Sequence, residues 1–296
     1  MDVMTVSRPQ LSFEFFPPKD EQALEKLVTI RQRLDALNPA YYSVTFGAGG
    51  STRHGTLNTV VALRQNGVAE VAPHLSCVGL EASEIDELLK TYRSLGIKRL
   101  VALRGDLGSG YGAMGEFNNA IELVRHIRQS SGDQFHIEVA CYPEFHPEAT
   151  SATADLVHFR DKVAAGADGA ITQYFFNSDA YFRFVDATDK LGINVPIVPG
   201  IMPITNFAQL SRFSAMCGAE IPRWLEWRMR ELANDRDGLF ELGADFVADM
   251  CQRLLDGGAP GLHIYSLNRC DATLAICERL GLAPSQSSGQ AKAVSG

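Results

Sequence analysis

Glu14 interrupts an otherwise apolar run, LSFEFFPPKD, that two prolines bring to a stop. Strand alternation sends Leu11, Phe13 and Phe15 to one face and Ser12, Glu14 and Phe16 to the other. Phe16 beside the glutamate predicts an enclosed face, and an enclosed carboxylate without a partner is costly. A wall made by Phe13, Phe15 and Phe16 would raise the carboxyl pKa, the direction a proton donor near neutral pH requires. The alternative is a solvent-facing strand glutamate.

Other polar groups recur where β-rich runs end: Thr45 before GAGGST, His74 with Ser76, the LRGD that holds Arg104, Gly105 and Asp106, YPEFHPE with Tyr142 and His146, Gln173 inside AITQYFF, PGIMPI, and YSLNR with Tyr265, Leu267 and Arg269. Each has an ordinary alternative. His74 could be a hydrogen-bonded core histidine, Thr45 a β-branched strand residue, Phe207 simple core, and Arg104 the salt-bridge partner of Asp106. Asp155 and Lys162 fall two turns apart on one helix face, where they could also be a solvated charged stripe. His146 with Glu144 and Glu148 has metal-ligating types but no supporting cluster, so no metal site is expected.

These residues need a scaffold that brings strand ends together. Gly67, Gly96, Gly166, Gly192 and Gly258 each separate a helix-like tail from a β-rich run, and are expected as left-handed caps. Eight strand candidates alternate with segments long enough for helices, which predicts a closed (β/α)8 TIM-type barrel; a doubly wound open sheet is the alternative. Barrel enzymes place their sites at the C-terminal strand ends, where the polar residues collect. Residues 206–257 exceed one crossover, and IPRWLEWRMRELANDRDG predicts an extra helix whose tryptophans pack or form a lid. Residues 1–282 are expected as one catalytic domain, and the small, polar 283–296 as a disordered tail.

With 46% hydrophobic residues among 296, the chain has ample core for one such barrel. A net charge of −8 without a basic run argues against nucleic-acid binding. No apolar run approaches the roughly 20 residues of a membrane span, and MDVMTVSRPQ lacks an export signal, so a cytoplasmic location is expected. The six scattered cysteines lack metal-type spacing and are expected as reduced, structural thiols.

SFEFFPPK, SVTFGAGGSTR, APHLSC, ALRGD, CYPEFHPEA, AITQYFF, PGIMPI and HIYSLNR, in this order over residues 11–282, resemble methylenetetrahydrofolate reductase. The resemblance implies a flavin barrel, in keeping with the lack of a G-x-G-x-x-G fingerprint after any strand. The implied enzyme is an oxidoreductase acting on CH-NH donors. NADH or NADPH gives hydride to FAD, and 5,10-methylenetetrahydrofolate then takes it to become 5-methyltetrahydrofolate, in one-carbon metabolism that feeds methionine synthesis.

Residue by residue, the resemblance makes Glu14 the general acid that opens the folate's five-membered ring. It makes Asp106 the carboxylate that disfavours anionic reduced flavin and stabilises the cationic folate intermediate. FAD contacts are implied for Thr45, His74, Arg104, Gly105, Asp106, Ala140, Tyr142, His146, Asp155, Lys162 and Ala167. Substrate contacts are implied for Glu14, Asp106, Gln173, Phe207, Tyr265, Leu267 and Arg269. A homo-oligomer is implied as well. The resemblance departs at LGSG after LRGD, and the large regulatory domain of eukaryotic relatives is not expected. Two other readings stay open: a flavin-independent folate reductase on the same barrel, and a catalytically silent folate- or nucleotide-binding module.

Overall fold

The computed structural model describes residues 8–46, 50–65, 67, 69–105 and 115–282. Asp106, the LGSG loop and the 283–296 tail therefore lie outside the described residues.

Strand β1 (Gln10–Phe15) follows the alternation read from its sequence. Leu11, Phe13 and Phe15 are buried outside the barrel wall, where Phe15 stacks on Tyr42 with ring centroids 5.4 Å apart. Ser12 and Glu14 consequently face the barrel interior. Phe16 does not share that interior: the strand has ended, and Phe16 is 46% exposed with its backbone held at both N–H and C=O by the Asn268 side chain. Two prolines prevent further ladder pairing, and Asp20 then caps α1 (Glu21–Asp35) by accepting from Ala23 N.

The chain continues as β2 (Tyr41–Val44), α2 (Gly50–Arg64), β3 (Glu70–Ser76), α3 (Ala82–Ser94), β4 (Arg99–Leu103), α4 (Ala120–Ser131), β5 (His136–Cys141), α5 (Ala152–Ala164), β6 (Gly169–Thr172) and α6 (Ser178–Lys190). The seventh stave is split into β7 (Ile197–Val198) and β8 (Gly200–Ile201) by Pro199. Proline has no N–H to donate, so the ladder breaks there. Three helices, α7 (Phe207–Cys217), α8 (Arg223–Glu231) and α9 (Arg236–Asp256), precede β9 (Gly261–Tyr265) and α10 (Asp271–Arg279).

All strand pairs are parallel, in the order β7-β6-β5-β4-β3-β2-β1-β9-β8. Because β7 pairs with β6 while β8, one residue later, pairs with β9, the two ends of the sheet are one continuous span. The sheet therefore closes into an eight-stave barrel, and the open-sheet alternative is excluded.

The extra helix expected around the tryptophans is α8. Its two tryptophans neither fill the core nor line the cavity: Trp224 and Trp227 are 57% and 59% exposed, Trp224 edge-on to Phe246. Leu225 and Met229 form the buried side of this helix instead. Of the five glycine stops, Gly96, Gly166, Gly192 and Gly258 have positive φ. Gly67 does not; it is demanded by space, since a Cβ there would stand 2.6 Å from Leu63 O and 2.8 Å from Arg31 Nη1. Among the described residues no helix is long and apolar enough to cross a membrane, and the six cysteines are unpaired thiols.

Candidate active site

A cavity of about 730 Å³ opens at the C-terminal ends of the strands, within the size range of small-molecule sites. Its walls include Glu14, Thr45, His74, Arg104, Gly105, Ala140, Tyr142, His146, Asp155, Lys162, Gln173 and Tyr265, brought together from seven staves and one helix. The barrel thus unites most of the polar strand-end residues singled out in the sequence.

Glu14 faces the cavity from β1. Its Oε2 lies 3.3 Å from His74 Nε2 and 3.5 Å from His263 Nε2. His263 is fully buried and is fixed by its other nitrogen, Nδ1, which is 2.7 Å from the Ser12 hydroxyl. The β1–β9 register sets Ser12 opposite His263 and Glu14 opposite Tyr265, so the arrangement follows directly from strand pairing. Burial alone would raise the Glu14 pKa, as its sequence predicted. The two imidazoles outweigh burial and bring the carboxyl down to about 2. The phenylalanine wall expected around Glu14 is absent: Phe13 and Phe15 point outward and Phe16 is in the loop. The free protein therefore holds Glu14 as a carboxylate between two imidazoles.

The opposite wall is built for charge. Lys162, on α5, is 5% exposed and donates to Ala140 O, and among the described residues no carboxylate forms an ion pair with it. Burial pushes its pKa below the ordinary lysine value, while Cys141 and Asp155 pull it back up. A buried ammonium satisfied only by a carbonyl suits an anionic group on a bound molecule. Asp155 accepts from His146 N at 3.0 Å, which pins the loop carrying the edge-to-face pair Tyr142 and His146. Arg104 pairs with Glu148 of the β5–α5 loop at 2.7 Å, while the Arg104–Asp106 pair open in the sequence involves a residue outside the described ones.

Gly105 shows why this wall tolerates no side chain. Its φ is +90°, and a Cβ would fall 1.9 Å from Ser76 Oγ, which itself donates to Arg104 O. Across the cavity, Gln173 turns its carbonyl oxygen to Tyr174 N at 2.9 Å, leaving its amide nitrogen for the cavity. Tyr265 donates to Thr172 O at 2.8 Å and closes the interior beneath.

The family model for methylenetetrahydrofolate reductase matches residues 2–281. The chain belongs to this family. It is 40% identical over 277 residues to 5,10-methylenetetrahydrofolate reductase of Pectobacterium carotovorum subsp. carotovorum, covering 94% of this chain and 92% of that one. The Escherichia coli (strain K12) protein of the same name is 39% identical over 274 residues, covering 93% and 91%. Methylenetetrahydrofolate reductase (NADH) 1 of Arabidopsis thaliana is 38% identical over 284 residues, covering 92% of this chain but 48% of its own length. Among solved structures, a Clostridium thermocellum protein described as binding two copies of 5-methyl-5,6,7,8-tetrahydrofolic acid has a TM-score of 0.63 at 18% identity, covering 93% of both chains. Dihydropteroate synthase from Xanthomonas albilineans has a TM-score of 0.52 at 11% identity, covering 94% of this chain and 93% of that chain. These two share the barrel fold.

Four residues that family resemblance placed at ligands stand outside the cavity wall. Ala167 lies between α5 and β6, at the N-terminal end of the barrel, buried in the core. Phe207 opens α7 and packs under the Arg230 guanidinium, 5.4 Å from its ring. Leu267, at φ +52°, leans on the core from the β9–α10 loop, and Arg269 is exposed. Conversely, Tyr174, Met202 and His158 line the cavity and His263 stands behind Glu14, and none of these was singled out in the sequence. His263 was findable: it alternates with Tyr265 along HIYSLNR and so shares its inward face.

Proposed function

We propose that this chain reduces 5,10-methylenetetrahydrofolate to 5-methyltetrahydrofolate, using bound FAD and NADH or NADPH as hydride donor. The observation that carries the reading is the pairing, in one cavity, of a proton-holding cluster (Glu14, His74, His263) with a buried ammonium (Lys162) on the facing wall. The name of the Arabidopsis relative, which specifies NADH, supports a nicotinamide donor. FAD, when bound, supplies a carrier that takes hydride from the nicotinamide and releases it to the folate.

The residues fit such a cofactor. Lys162 would meet its diphosphate as a point charge, Asp155 its ribose hydroxyls, and Tyr142 and His146 offer aromatic faces beside it. Gly105 lets the backbone approach closely, and Thr45 and His74 stand at the inner end.

Reduction of the folate consumes one hydride and one proton. Glu14 is the group placed to give that proton to the ring nitrogen that departs as the five-membered ring opens. Because it is ionised in the free protein, Glu14 must take up that proton before it can donate it, and His74 and His263 are the groups in contact with it to pass one on. Ser12 holds His263 in the orientation that keeps Nε2 toward Glu14. The amide nitrogen of Gln173 is free to orient the folate or the nicotinamide.

The test is an absorption spectrum of the purified protein before and after anaerobic NADH, and again after methylenetetrahydrofolate. A flavin spectrum that bleaches with NADH and returns with the folate is expected. A colourless protein that oxidises NADH only when the folate is present would instead establish the flavin-independent alternative.

A further inference from the structure

The interior of a (β/α)8 barrel is ordinarily filled with branched apolar side chains. Here polar and ionisable residues continue beneath the cavity floor, down to the N-terminal face. Below Glu14 and His263 comes Ser12, then Tyr41, its register partner on β2. Tyr41 stacks on His263 with centroids 5.9 Å apart, and the Ser12 hydroxyl and the Glu138 carboxylate both act on its phenol. Glu138, on β5, is 4% exposed. Its Oε1 meets Arg99 Nη1 and, at 3.0 Å, His136 Nε2. Arg99 also reaches Glu70, 3.4 Å away. His136 brings the series to solvent, with a side chain 38% exposed.

Two atoms in the middle of this series are unsatisfied. Tyr41 Oη and Glu138 Oε2 are both buried and without a hydrogen-bond partner in good geometry among the described residues. Buried polar atoms are normally paired, directly or through an internal water, so each has capacity for one more link. Keeping a phenol, a carboxylate and an imidazole inside a barrel costs stability that apolar residues would not. Neither Tyr41 nor Glu138 lines the cavity, so ligand contact does not account for them.

Resting on the reductase reading, we infer that Tyr41, Glu138 and His136 form a proton-conducting path through the barrel axis, which recharges Glu14 from the N-terminal face. The need for it is geometric: cofactor and folate would occupy the cavity that Glu14 lines. Protonated His136 gives its proton to Glu138. The neutral carboxyl passes a proton to Tyr41 Oη as the Tyr41 hydroxyl donates to Ser12 Oγ and Ser12 donates to His263 Nδ1. His263 then releases its Nε2 proton to Glu14. One proton enters at His136 and one arrives at Glu14; no bond to carbon changes and no electron moves. The phenol hands its proton on in concert with receiving one, since burial pushes its pKa up and disfavours a free phenolate.

Tyr41→Phe removes the hydroxyl but keeps the ring that stacks on His263 and lies 4.6 Å beneath the Arg99 guanidinium. The two half-reactions are measured separately in stopped flow, in H₂O and D₂O. The NADH half-reaction should be unchanged. The folate half-reaction should slow about tenfold, roughly one decade of barrier, with a larger solvent isotope effect than the unaltered protein. His136→Ala, at the exposed end, should show the same signature and recover with added imidazole. Folate half-reactions of both variants that match the unaltered protein in rate and isotope effect overturn the path, as do equal losses in both half-reactions. Failure of the reductase reading is distinct, because the unaltered protein would then show no folate-dependent reoxidation.

Discussion

Glu14 Oε2 is 3.3 Å from His74 Nε2, which reaches it from β3 across the intervening β2, and this contact helps to set the charge state of the cavity floor. The carboxyl is not an isolated acid but the anionic member of a coupled group. Replacing it by Gln keeps the shape and removes the proton acceptor. Glu14→Gln should bind flavin and be reduced by NADH at the unaltered rate, yet lose about 10²–10⁴-fold in the folate half-reaction, the usual share of a general acid. Anaerobic stopped-flow absorbance measures both, and a folate rate within twofold of the unaltered protein excludes the role.

The same contact links stability to pH. The folded-state pKa of Glu14, about 2, lies below the ordinary value of 4.5, so the carboxylate binds its proton more weakly in the folded protein. Its contribution is therefore fully present above about pH 4.5 and is lost as the pH falls toward 2. Denaturation of the Glu14→Gln variant and the unaltered protein, compared at stepped pH, should show a stability difference that shrinks through this window. A difference that stays constant from pH 6 to pH 3 contradicts the ion-pair assignment.

Lys162 tests the facing wall. A buried ammonium whose only hydrogen-bond acceptor among the described residues is a carbonyl is a cost to the free protein and a gain to the complex. Lys162→Met should leave the ligand-free protein as stable as before or more so, while weakening flavin binding about ten- to a hundredfold, the worth of a charged hydrogen bond. Thermal melts of the apoprotein and flavin retention on dialysis read the two effects separately. A variant that loses stability and keeps its flavin would mark Lys162 as purely structural.

How far the sequence could be read depended on the range of the interactions involved. Strand alternation and glycine stops are local, and they sufficed for the barrel and for the inward placement of Glu14, Thr45 and His74. The ionisation of Glu14 was not legible, because His74 and His263 reach it from strands remote in sequence, and an apolar neighbourhood inferred from Phe13 and Phe15 belonged to the other face. Ala167 was misplaced for the opposite reason. Motif resemblance carried it to the flavin, while its position before β6 puts it at the far end of the barrel. Gly67 was mistaken for a left-handed cap because contact with Arg31, from another helix, is invisible in a local pattern.

Gly105 offers a test of how tightly the cavity wall is built. Two separate demands meet there: a positive φ of +90° and a space closed by Ser76 Oγ. Gly105→Ala violates both, and the backbone part alone costs about 1–3 kcal/mol. Adding Ser76→Gly removes the clash but leaves the dihedral strain, and it also deletes the hydrogen bond to Arg104 O. The double variant should therefore recover only part of the lost melting temperature, and binding at the proposed flavin site beside Arg104 should remain weakened. Calorimetry of the two variants and of Ser76→Gly alone closes the cycle. Full recovery in the double variant would show that the side-chain clash, not the left-handed backbone, is what reserves this position for glycine.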